Sequence, residues 1–131
     1  MPRAAVLAYP SEHQEQAALV RWATLYSNDY PALALLFAIP NGGARDAVTG
    51  ARLKAEGVRA GVPDMYLPVA RDGWHGLFIE LKVGRNKPSK HQEWWSEKLT
   101  EQGYLAVVCW GWHDAAGLLV DYLGLPPECK P

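Results

Sequence analysis

The chain has 131 residues, nearly half of them apolar, and a formal net charge of −1. That length suits one domain around a single core. No apolar run approaches the roughly 20 residues that span a bilayer, and the near-neutral total gives no general pull toward nucleic acid or membrane. Cys109 and Cys129 stand far apart without CxxC spacing, which speaks against a disulfide framework or a zinc ribbon. The N-terminus has one Arg before a short apolar stretch and lacks a full signal-peptide pattern, so a cytoplasmic protein with no membrane partner is expected.

Ser11 with Gln14 forms a capping-box pattern, and Leu19, Trp22, Ala23 and Tyr26 recur at helical spacing, predicting a first helix over Glu12 to Tyr26. After the Asn28-Asp29-Tyr30-Pro31 turn, the apolar run Leu33 to Ile39 predicts a buried strand stopped by Pro40. Asn41-Gly42-Gly43 reads as a turn, and Ala47 to Glu56 as a short basic helix ended by Gly57. Met65 to Val69 and Leu77 to Val83 read as strands joined through an Arg71-Asp72-Gly73 turn. Ser89 with Gln92 predicts a helix reaching Gln102, Leu105 to Trp110 a third buried strand, and Asp114 the cap of a last helix through Leu123. Trp22, Trp95 and Trp110 fit core positions, whereas Trp74 and Trp112 sit near turns and are expected at the surface or in an interface. With no repeat, linker or low-complexity stretch, the expectation is one α/β domain over residues 1–131.

Charge is distributed unevenly. Nine of the thirteen Lys and Arg residues fall between Arg45 and Lys90, while acids gather at Glu12 to Glu15 and at Glu93 to Glu101. The basic stretch is either a solvated face or a surface for phosphate. Within it, Leu77-Phe78-Ile79-Glu80-Leu81-Lys82-Val83 alternates, so on a strand Glu80 and Lys82 emerge side by side and the aliphatic residues face the other way. Alone, that pair is an ordinary ion pair. Asp64 changes the reading: it follows Pro63 just before the preceding strand, with fifteen residues between it and Glu80, and a hairpin of that length can return Glu80 to its side. Two converging carboxylates suit a hard divalent cation such as Mg2+ or Mn2+. Such a cation activates water and offsets charge on a phosphodiester, and Lys82 adds a positive charge able to orient or deprotonate water or to stabilise the transition state. The histidines His13, His75, His91 and His113 include no HxxxH pair, so a zinc site is not expected.

Pro63-Asp64, fifteen residues, then Glu80-Leu81-Lys82 resembles the PD-(D/E)xK nuclease superfamily. The surrounding sequence is similar to the VRR-NUC family: Pro40-Asn41-Gly42-Gly43 with Arg45, Gly57, Ala60-Gly61-Val62-Pro63-Asp64, His75-Gly76-Leu77-Phe78-Ile79-Glu80-Leu81-Lys82, then Ser89, Gln92, Trp95, Leu99 and Gly103-Tyr104. The likeness covers about residues 11–123. It implies a restriction-endonuclease-like core, a mixed central β-sheet flanked by helices, and metal-dependent endonuclease action on DNA with Mg2+ or Mn2+. It further implies a homodimer acting on branched DNA such as Holliday junctions. By the same resemblance Asp64, Glu80 and the main-chain carbonyl of Leu81 are metal ligands and Lys82 the catalytic lysine. The family also has a glutamate on the first helix and a glutamine after the lysine. Glu12 is chosen as the former, a catalytic and metal-binding residue, with Glu15 the competitor; Gln92 matches the latter, although its capping-box place gives it a structural explanation as well.

On that reading Asn41, Arg45, Arg52, Lys54, Arg59, Arg85, Lys87 and Lys90 are expected to contact DNA, chiefly its phosphates. Two other readings stay open: a DNA-binding module that keeps the fold without cleaving, and a protein-interaction domain whose charged strand is only a solvated face.

Overall fold

A computed structural model describes residues 9–40 and 47–131. Among the described residues it shows α1 (Glu12–Tyr26), β1 (Phe37–Ala38), α2 (Ala47–Ala55), β2 (Met65–Leu67), β3 (Leu77–Lys82), α3 (Lys90–Glu101), β4 (Leu105–Trp110) and α4 (Trp112–Leu123). The strands form one sheet in the order β1-β2-β3-β4. β1 to β3 pair antiparallel, and β3 pairs parallel with β4. Parallel neighbours need a long crossover, which α3 and its flanking loops supply. The protein is therefore α/β with a mixed sheet flanked by helices.

Alternation along the strands divides the sheet into two faces. Leu77, Ile79 and Leu81 of β3 join Met65 and Leu67 of β2 and Cys109 of β4 on the buried face. Against them pack Leu19, Trp22 and Ala23 of α1 and Ala115, Ala116, Leu119, Val120 and Leu123 of α4, the helical spacings that made those segments readable as amphipathic. The Trp22 indole N–H donates to the Cys129 carbonyl at 2.9 Å, and the Tyr122 hydroxyl to the Val69 carbonyl at 2.6 Å, so the polar ends of these core aromatics are satisfied.

Several sequence expectations shift. The apolar run Leu33 to Ile39 does not form a buried strand: Pro31–Leu35 is a 3-10 helix and only Phe37–Ala38 pairs, with Leu35 and Phe37 half exposed. Pro31, with its fixed φ, opens the helix, and the Leu33 N–H closes a turn on the Tyr30 carbonyl, leaving just two residues for the sheet edge. β2 stops at Leu67 because Pro68 has no N–H for the ladder. The Arg71–Trp74 turn forms as expected, Asp72 and Gly73 both taking positive φ (51° and 84°). Trp110 is not core but nearly half exposed, its indole N–H donating to the Asn86 carbonyl at 2.8 Å. Trp95 is half-buried outside the core, while Trp74 and Trp112 are half-buried against it.

Candidate nuclease site

The β2–β3 ladder pairs Tyr66 with Phe78 and Met65 with Ile79. One further step sets Asp64 opposite Glu80, on the face away from the aliphatic core, where directly opposed side chains have Cβ atoms about 4.5–5.5 Å apart. Asp64 is anchored on both sides: its carbonyl accepts from Ile39 N–H at 2.7 Å, and its Oδ2 accepts from Leu81 N–H at 2.7 Å. Because the Lys82 carbonyl accepts from Gly111 on the β4 side at 2.9 Å, the main chain of Leu81 addresses the opposite, β2 side. Its partner by register there is Pro63, which has no N–H to give the Leu81 carbonyl. The proline of the motif thus offers no ladder hydrogen bond to the Leu81 carbonyl, beside the two carboxylates.

Glu80 is 3% exposed. Its Oε1 accepts from Gln92 Nε2 at 2.7 Å and lies 3.8 Å from Lys82 Nζ. Its Oε2 is buried with no hydrogen-bond partner. Burial, and then the Asp64 carboxylate, push the Glu80 carboxyl up to about 8; Lys82 opposes this without cancelling it, and Glu12 adds to it. An orphaned, buried carboxylate oxygen next to a second carboxylate is a costly arrangement that a bound cation relieves. The donors are all oxygen, the chemistry that Mg2+ and Mn2+ take. Among the described residues no group of three His, Cys, Asp or Glu side chains suited to a metal gathers, so the carboxylate pair stands with main-chain oxygen rather than with a third such side chain.

Lys82 is buried and lies between two acids, its Nζ 3.8 Å from Glu80 and 4.0 Å from Glu12 Oε1. Glu12 and Glu15, both in the first turn of α1, part company here. Glu12 meets Lys82, whereas Glu15 Oε2 accepts from Trp112 N–H at 3.0 Å. Gly111, the residue before α4, has no side chain to cap the helix, and Glu15 does so from across the fold. Asp114, expected as that cap, lies inside α4 and accepts from Trp110 N–H at 3.0 Å. Glu12 is thus the acid brought to the cluster, and Glu15 has a structural partner.

Gln92 serves both readings. Its Oε1 accepts from Ser89 N–H at 2.8 Å and its N–H donates to Ser89 Oγ at 3.2 Å, the capping box, while Nε2 holds Glu80. The first turn of α3 can come this close because Gly61 (φ 89°) lies under His91: a Cβ there would sit 2.7 Å from the His91 backbone.

Of the expected DNA-contacting residues, Arg52 and Lys54 lie on α2, Arg59 follows it, Arg85 and Lys87 follow β3, and Lys90 opens α3; all are exposed. Lys54, Arg59 and Lys90 line one cleft, whereas Arg52, Arg85 and Lys87 do not. Asn41 and Arg45 fall outside the described residues. Sequence reasoning passed over Trp94, which lines the same cleft. The signal was there: Lys90 and Trp94 are four apart on a helix and share a face.

Residues 3–112 match the family model of the VRR-NUC domain. A solved structure described as a VRR_NUC domain protein superposes with a TM-score of 0.76 at 28% identity, over 91% of this chain and 93% of that one. Among curated proteins no sequence matches.

Proposed function

This chain belongs to the VRR-NUC family of nucleases, and from that premise we propose that it is a metal-dependent DNA endonuclease that hydrolyses phosphodiester bonds, selective for branched DNA such as Holliday junctions. The observation that carries the reading is the pair Asp64 and Glu80, with Glu80 buried, its Oε2 without a hydrogen-bond partner and Lys82 beside it. Asp64, Glu80 and the Leu81 carbonyl would hold Mg2+ or Mn2+, with Glu12 at the margin, and the ion would supply Lewis acidity and an activated water.

The chain's own groups do the rest. Leu81 N–H fixes Asp64 and the Gln92 amide fixes Glu80, so neither carboxylate has to reorganise as charge develops. The Lys82 ammonium, held between Glu80 and Glu12, offers its charge to the non-bridging phosphate oxygens. The exposed cations of α2, the loop after β3 and α3 neutralise backbone phosphates on either side. A homodimer suits a junction, because two copies would present two equivalent sites to a symmetric branch; half-exposed Leu35 and Phe37 provide apolar surface for pairing.

The test is incubation of labelled junction, flap and linear duplex with the protein in Mg2+, Mn2+ or chelator. Metal-dependent cutting that disappears in Glu80→Gln and Lys82→Ala is expected, strongest on the junction. DNA binding without cutting of any substrate would replace this reading with that of a non-cleaving binding module.

A further inference from the structure

Lys54, Arg59, Lys90, His91, Trp94 and Trp95 line an open cleft of about 810 Å3 between the end of α2 and the first turns of α3. Its size lies within the range of about 300–1,000 Å3 of sites that take small organic ligands. Trp94 is 52% exposed, unusual for so large an apolar side chain in a hollow edged by cations. It is also held firmly. Trp95, whose indole N–H donates to the Ala60 carbonyl at 3.1 Å, meets Trp94 edge to face with ring centroids 5.3 Å apart.

We infer that this cleft receives one unpaired nucleotide of the DNA substrate, its base stacked on Trp94 and its flanking phosphates met by Lys54, Arg59 and Lys90. The inference rests on the nuclease reading above and narrows its branched substrates to those with an unpaired nucleotide at the branch, as in a flap or in a junction whose crossover pair has opened. Duplex backbone lying across the surface would use the cations but leave the indole without a partner, since paired bases keep their faces covered. An unpaired base has a free π-face, and aromatic stacking accepts it whatever its identity. The cleft also adjoins the carboxylate pair through shared residues. His91, on its wall, precedes Gln92, which holds Glu80, and packs on Gly61, three residues before Asp64. A nucleotide held there would place the junction between paired and unpaired DNA beside Asp64 and Glu80.

Binding is measured in chelator, where no cutting occurs, by anisotropy on a blunt duplex and on the same duplex with a short single-stranded arm containing 2-aminopurine. The wild type is expected to prefer the armed duplex and to quench the 2-aminopurine. Trp94→Ala should remove the quench and weaken armed-duplex binding by about tenfold, a typical stacking loss, while leaving blunt-duplex affinity unchanged. Trp94→Phe should keep most of both. Lys54→Ala and Arg59→Ala should weaken both DNAs and flatten the salt dependence. Quenching that survives Trp94→Ala, or equal loss on the two DNAs, overturns the inference; so does a Trp94→Ala protein whose sedimentation shows that a dimer has become a monomer, which would make the cleft a contact between copies. A wild type that cuts DNA in Mn2+ without Trp94-dependent quenching sinks the cleft alone. One that neither binds nor cuts DNA sinks the nuclease reading along with it.

Discussion

The two faces of β3 are built from alternating residues of one strand, yet they obey different rules. Leu77, Ile79 and Leu81 lie fully buried among aliphatic side chains of both long helices. Glu80 and Lys82, one residue out of phase, are buried too, but Glu80 faces a second carboxylate with one oxygen unpartnered, and Lys82 sits between two acids. Burial on the first face stabilises the fold; on the second it carries an electrostatic cost that a proton or a bound cation relieves. Conservation of shape and of charge can therefore be separated by substitutions a single residue apart.

The largest separation is expected from Asp64→Asn or Glu80→Gln. Cleavage should fall on the order of a thousandfold or more, as when a transition-state contact is removed, while thermal unfolding of the metal-free protein stays put or moves upward because a buried ionisable carboxyl pair is gone. A fall in melting temperature together with retained cutting would show the pair to be structural. On the other face, Ile79→Ala should cost about 2–5 kcal/mol in denaturant unfolding through lost burial and the cavity left behind. A milder loss would mean that the aliphatic face repacks.

Smaller in scale is the response to pH. With its carboxyl raised to about 8 by burial and by Asp64, against Lys82 and alongside Glu12, Glu80 carries a proton at neutral pH when no metal is bound. A cation must displace that proton, so Mn2+ affinity measured by calorimetry should climb as pH rises toward about 8, by at most about tenfold per unit, and level off above it. A flat profile would mean that Glu80 is already ionised or takes no part. The smallest effect is that of Glu15→Ala, expected to cost about 1 kcal/mol as a lost helix cap, whereas Glu12→Ala should lower cleavage at little cost in stability. Reversed outcomes for the two acids would exchange their roles.

Much of this was legible in the sequence. The motif spacing singled out Asp64, Glu80 and Lys82, which one hairpin draws together, and the two Ser/Gln capping boxes marked the starts of α1 and α3, because capping side chains act within a few residues of themselves. What escaped was set by contacts distant in sequence. Glu12 and Glu15 could not be told apart until α4 arrived to take Glu15, and nothing near Gly111 announces that its helix is capped from another element. The run Leu33 to Ile39 misled because apolar length alone does not distinguish a strand from a tight helix followed by a short edge pairing. Gln92 had two explanations, and its two amide atoms satisfy both.

The hydrogen bond from Trp112 to Glu15 joins residues 97 apart in the chain. Asp64 and Glu80, by contrast, meet within one hairpin, a closure of low contact order that can form early in folding. The acid that flanks Lys82, Glu12, joins the pair only when α1 packs on β3 and α4. A partly folded chain would thus carry the carboxylate pair without its α1 flank, and a cluster complete with Glu12 would mark a chain in which α1 has already docked.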